Sequence, residues 1–142
     1  MSTDVRPPRT RLARGLGIVL GAAYALLALA ATGRSVLQIA TDFPTAPVAY
    51  SLTGLAAVVY LVATIALFAP GAAWWRVAIV TISFELLFVL TVGTLTIVDP
   101  ALFPQKTVWS LYGLYYGLVP LVLPVLGLLW LRFTRPGRLT EV

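Results

Sequence analysis

Val77-Ala-Ile-Val-Thr-Ile-Ser-Phe-Glu-Leu-Leu-Phe-Val-Leu90 is the stretch that decides how this chain is read. It belongs to a run from Val77 to Val98 in which Glu85 is the one ionisable residue. Such a run reads as a membrane-crossing helix, because about 20 residues rising 1.5 Å each span a hydrocarbon core of ~30 Å. Glu85 is ~14 Å along that helix from Arg76, near mid-depth. A carboxyl group there costs roughly 2.5–3.5 kcal/mol on insertion scales, so it is expected to have a partner or a task.

Outward from this helix the pattern repeats. Helices are expected over 15–40, 48–69, 76–98 and 107–131, with Arg34 in the later part of the first and Thr107 as N-cap of the fourth. Prolines break the chain between them, at Asp42-Phe-Pro-Thr-Ala-Pro47, Pro70-Gly71 and Asp99-Pro-Ala-Leu-Phe-Pro-Gln-Lys106. The first block shares an arginine-rich flank and small residues with a signal peptide. It exceeds the about 7–15-residue core of such a peptide and further blocks follow, so it is read as a retained helix. Residues 1–13 are expected to form a disordered basic tail and 133–142 a second tail. The predicted fold is all-α, a polytopic four-transmembrane-helix bundle in one domain over 14–132.

Composition agrees. The chain is 60% hydrophobic and 11% charged, against roughly 45–50% and 25% for soluble domains. Its net charge of +5 could point to nucleic acid, but Arg6, Arg9, Arg11 and Arg14 precede the first block and Arg132, Arg135 and Arg138 follow the last. Arginine placed this way is a topology signal. With Arg76, the inner face holds eight basic residues, and the outer face keeps Lys106 and Arg34. The orientation is therefore N-in, C-in. Trp74, Trp75 and Trp130 are expected at the inner interface and Tyr50 and Trp109 at the outer one. Nine arginines to one lysine, with abundant Ala, Gly, Val and Leu, points to a GC-rich genome.

Several chemistries are ruled out at this level. Cysteine and histidine are absent, which removes thiol chemistry and the commonest metal and haem ligand. Asp4, Asp42, Glu85, Asp99 and Glu141 are scattered, giving no carboxylate metal site. No GxSxG, P-loop or dinucleotide fingerprint occurs. No enzyme activity, cofactor or metal is expected, and the partners are the lipid bilayer and other membrane helices, not nucleic acid.

The remaining candidates lie inside the helices. Thr81, Val92 and Thr96 point within about 40° of Glu85 at 100° per residue, a mildly polar stripe. Glu85 has two readings: a carboxylate handling a proton or cation, or a hydrogen-bonded glutamate joining helices through a tyrosine or threonine, with Tyr24, Tyr60, Tyr112, Tyr115 and Tyr116 as donors. Arg34 either reaches the outer interface or drops to pair with Glu85. Gly17-Ile-Val-Leu-Gly21 and Gly113-Leu-Tyr-Tyr-Gly117 are small-residue spacings suited to close helix packing, within the monomer or against another chain. Pro120 and Pro124 are expected to kink the fourth helix near mid-membrane.

Three stretches carry a resemblance: Ala31-Thr-Gly-Arg-Ser35, Val98-Asp-Pro-Ala-Leu-Phe-Pro104, and Val108 to Arg132 with its Trp109, Tyr112, Gly113, Tyr116, Gly117, Pro120, Pro124 and Gly127. Together they resemble a group of small, uncharacterised four-helix membrane proteins of high-GC Gram-positive bacteria. That resemblance implies the topology and a multi-pass place in a bacterial plasma membrane; it carries no known activity and implies nothing about mechanism. The small multidrug transporters are similar in size, helix number and a lone membrane glutamate, but their glutamate lies in the first helix and this one is in the third. Two functions follow as expectations. One is a non-catalytic subunit or accessory factor acting through helix–helix contacts in a hetero-complex. The other is a small homo-oligomeric transporter or channel using Glu85.

Overall fold

A computed structural model describes residues 8–69, 71–105, 107 and 109–134, with side chains from Arg14 onward. Most of these residues are helical, and there is no strand among them. Helix α1 is Pro8–Asp42, α2 is Pro47–Phe68, α3 is Ala72–Val98 and α4 is Val119–Phe133. Short 3-10 turns occupy Phe43–Thr45 and Pro100–Leu102, where the proline clusters forbid a regular helix. A third and longer 3-10 segment, Ser110–Tyr116, precedes α4.

Helix ends shift by a few residues from expectation, α3 for instance starting at Ala72 and α4 ending at Phe133, and two differences are larger. Helix α1 starts at Pro8, so residues 8–13 of the expected disordered tail are helical; residues 1–7, and 135–142 of the second tail, lie outside the described residues. The larger correction concerns the expected helix 107–131. Residues 110–116 wind as a 3-10 segment and meet α4 at a bend of 99°. Leu111, Tyr112, Gly113, Gly117 and Leu118 all have positive φ, between 49° and 85°. A right-handed α-helix cannot pass through such residues.

Three helices are long and apolar enough to cross a membrane, or four if the bent pair counts as one span. Helix α4 alone has 15 residues, ~22 Å, which falls short of a ~30 Å core.

The helices are neighbours in the cyclic order α1, α2, α3, α4, with α4 returning to α1. What they bury is mostly small. Helix α2 turns Ala49, Ala56, Ala57, Ala63 and Ala66 inward and leaves Val58, Leu61, Ile65 and Phe68 exposed. Helix α1 buries Ala28 and Ala31 and exposes Leu26, Leu29, Val36 and Leu37. A water-soluble bundle gains from burying its leucines; close packing of small residues with large apolar side chains outside is the arrangement that suits lipid.

The glycines of α1 serve this packing within the chain. A Cβ on Gly17 would lie 2.4 Å from the Trp130 ring of α4, and one on Gly21 would lie 2.6 Å from the Phe68 ring of α2. At the same end of the bundle, the Trp75 indole N–H donates to the Leu131 carbonyl at 2.9 Å, tying α3 to α4. The start of α1 and the end of α4 therefore share one end. Tyr50 and Trp109, expected as the aromatics of the other end, are 3% and 0% exposed. Each is held inside by its polar atom: the Tyr50 hydroxyl donates to Asp42 Oδ2 at 3.1 Å, and the Trp109 indole N–H donates to the Tyr60 hydroxyl at 2.9 Å.

Candidate functional site

Glu85 is the midpoint of α3, which runs from residue 72 to residue 98. Its side chain is fully buried, in line with Ala78, Ile82, Val89 and Val92. The inward placement follows from the 3.6-residue period, which puts these positions on one face. The Tyr24 hydroxyl of α1 donates to Glu85 Oε2 at 2.6 Å. Since α1 and α3 are not neighbours in the ring of helices, this bond crosses the middle of the bundle. The other carboxyl oxygen, Oε1, is buried with no hydrogen-bond partner among the described residues.

Aromatic rings continue from this pair toward the Asp42 end. The Tyr24 and Tyr60 rings lie 6.1 Å apart and tilted. Trp109 meets Tyr60 edge-on at 6.4 Å and Phe88 at 5.6 Å. All of Tyr24, Tyr60, Glu85 and Trp109 are fully buried. On the α4 side the space beside Tyr24 is closed by Gly127, whose position for a Cβ is 3.3 Å from Ile82 and 3.8 Å from Tyr24. The centre is a packed core that contains one carboxyl group.

Arg34 is not brought to Glu85. It is ten residues beyond Tyr24, ~15 Å along α1, and its guanidinium donates to the Tyr116 hydroxyl at 2.7 Å. Thr81 is half-buried one turn before Glu85. Thr96 has a different duty from the one its stripe position implies: its hydroxyl donates to the Gly93 carbonyl at 2.6 Å and accepts the Leu111 amide at 3.0 Å.

That second bond anchors the strap, residues 109–118, to α3. Three of its non-glycine residues, Leu111, Tyr112 and Leu118, hold left-handed backbone, at roughly 1–2 kcal/mol each. Tertiary contacts compensate. The Tyr112 ring fills a notch at Gly93 of α3, where a Cβ would lie only 2.3 Å from the ring. The Tyr112 hydroxyl shares a hydrogen bond with Thr94 Oγ1 at 3.0 Å. Arg34 holds Tyr116, and Tyr60 holds Trp109. At the entrance the Trp109 amide donates to Thr107 Oγ1 at 3.1 Å, so Thr107 caps this turn and not an α-helix. Between the strap and the end of α3 lies an open cleft of about 320 Å³, walled by Thr96, Phe103, Gln105, Ser110, Leu111 and Tyr115.

Gly113 and Gly117 thus do not form a helix-packing face. Gly113, at φ 85°, lies against the Pro120 ring, and Gly117, at φ 66°, closes the turn. Pro120 is in the first turn of α4, where its missing N–H is no loss, and only Pro124 lies within the helix. The large bend of the fourth segment lies at Leu111–Leu118, before both prolines.

The arrangement defines an all-helical chain with several long apolar helices packed around a buried carboxyl–tyrosine pair. No group of three or more metal-binding side chains occurs among the described residues. Compared with family models, curated proteins and solved structures, the chain matches none.

Proposed function

We propose that this chain is a multi-pass bacterial plasma-membrane protein that works without catalysis, through contacts with other membrane helices, as a subunit or accessory factor of a larger complex. The observation that carries the reading is the use made of the one intramembrane carboxyl group. Glu85 Oε2 is taken by Tyr24 across the bundle, inside a packed core, so the acid joins α1 to α3. The extramembrane connections described are short, and the large apolar side chains face outward along every long helix. Surfaces of that kind meet lipid or another helix.

The N-in, C-in orientation belongs to this proposal. It rests on the arginines: Arg14, Arg76 and Arg132 lie at the end where α1 starts and α4 finishes. The chain has no cysteine, so single cysteines report sidedness directly. Thr45→Cys and Gln105→Cys are expected to react with an impermeant maleimide in intact cells, and Arg14→Cys only after the membrane is opened. The reverse pattern would invert the orientation.

A second reading is favoured by one atom, the unpartnered Glu85 Oε1. A carboxyl oxygen with no bond in the core is open to a proton or a small cation, as a transporter or channel requires. Four helices enclose a pathway poorly, so this reading calls for a homo-oligomer. Native mass spectrometry of the chain extracted from its own membrane with lipid retained separates the two. A stoichiometric foreign subunit is expected; a clean homo-oligomer would transfer the case to transport, and a bare monomer would remove the ground from both.

A further inference from the structure

The strap 109–118 is built from backbone that its residues do not favour. Leucine and tyrosine in the left-handed region are strained, because Cβ crowds the carbonyl oxygen, and outliers of this kind persist only where surrounding structure fixes them. Leu111, Tyr112 and Leu118 are all in that state. The strap's own sequence from Leu111 to Leu118, Leu-Tyr-Gly-Leu-Tyr-Tyr-Gly-Leu, is apolar enough to extend α4, and α4 already accommodates Pro124 within its helix. The bent form is therefore held from outside: by Thr96 on the Leu111 amide, Arg34 on Tyr116, Tyr60 on Trp109 and the Gly93 notch around Tyr112. These contacts come from α1, α2 and α3.

We propose that the strap is a two-position device. In the bent position the Tyr112 ring occupies the Gly93 notch. In the released position residues 111–118 return to right-handed backbone continuous with α4, kinked at Pro120, and the notch on α3 is vacated. Two consequences follow from the geometry. Release lengthens the fourth span beyond the 15 residues of α4. It also removes Ser110, Leu111 and Tyr115 from one wall of the cleft beside Thr96, so any molecule that fits the cleft selects the bent position. Because Arg34, Tyr60, Thr96 and Gly93 lie on three different helices, a shift in how those helices pack changes the balance between the positions. The device stands whether the chain works as a subunit or as a transporter.

The absence of cysteine allows a direct test in the full-length chain reconstituted in lipid nanodiscs. Spin labels on Leu114→Cys in the strap and Ile97→Cys on α3, both exposed positions, report the separation of the two elements by pulsed electron resonance. Gly93→Ala, whose added methyl collides with the Tyr112 ring, is expected to move the distance distribution toward longer separation. Leu111→Gly with Leu118→Gly, which relieves the strained backbone and disfavours the helical alternative, is expected to move it toward the shorter one. Where Gly93→Ala fails to fold, Thr96→Val removes the acceptor of the Leu111 amide and is expected to lengthen the separation in the same way. One distribution unchanged by the folded variants would overturn the proposal.

Discussion

Glu85→Ala is expected to destabilise the bundle by about 3–5 kcal/mol, while Glu85→Gln stays within about 1 kcal/mol of the parent. The two numbers separate the roles of the side chain. Interhelical hydrogen bonds in membranes contribute only about 0.6 kcal/mol on average and at most about 1.7, so the Tyr24–Glu85 bond by itself explains the smaller part. The larger part is volume: the side chain is among the fully buried ones, and truncation of a buried side chain of this size leaves a cavity costing about 2–4 kcal/mol. Glutamine keeps both the volume and an acceptor for Tyr24. The pair Glu85→Leu with Tyr24→Phe isolates the bond, with a coupling of about 0.6–1.7 kcal/mol expected from the double-mutant cycle. Reversible unfolding of the lipid-reconstituted chain reads all of these. A loss of several kcal/mol in Glu85→Gln would show that the carboxyl group has a structural duty an amide cannot perform. A folded Glu85→Gln protein that has lost ion flux would instead support the transport reading.

The second large effect is at Gly113. Gly113→Ala is expected to cost about 2–5 kcal/mol, and Gly117→Ala only about 1 kcal/mol, although both glycines have positive φ. The difference lies in what each Cβ meets. At Gly113 it would lie 2.7–2.8 Å from three atoms of the Pro120 ring, a rigid neighbour that cannot rotate away, so overpacking of about 1–3 kcal/mol adds to the backbone strain. At Gly117 nothing lies within 4 Å. Thermal unfolding of the two variants side by side checks the order. Equal losses would mean that the Gly113–Pro120 contact yields easily and that the strap is held mainly by its hydrogen bonds.

These two residues also show how far the sequence could be read. Glu85 was legible because one ionisable group in an apolar run is visible without coordinates, and its inward direction follows from helical period alone. Its partner was not. Tyr24, Tyr60 and the tyrosines of 112–116 all carry suitable hydroxyls, and choosing among them requires knowing that α1 and α3 face each other across the bundle. The duty of Gly113 and Gly117 is hidden for a related reason: a four-residue glycine spacing has the same appearance whether the glycines let helices approach or, as here, supply left-handed backbone. Arg34 could be excluded as Glu85's partner only once both helices had a register, and nothing in the sequence pairs the Trp109 indole N–H with the Tyr60 hydroxyl.

What the sequence determined alone is what depends on local composition and period: four apolar blocks, the proline breaks between them, the polar mid-point of the third helix and the chemistries excluded by the missing histidine and cysteine. What the tertiary structure decided is everything set by a neighbour distant in the chain. The crossing bond from Tyr24 to Glu85, the Tyr112 ring in the Gly93 notch and the Arg34 bond to Tyr116 join residues separated by 61, 19 and 82 positions. The bend before α4 is the clearest case. Leu111, Tyr112 and Leu118 do not favour left-handed backbone by themselves; hydrogen bonds within the turn, such as the Leu118 amide to the Gly113 carbonyl, and contacts from three other helices together hold it.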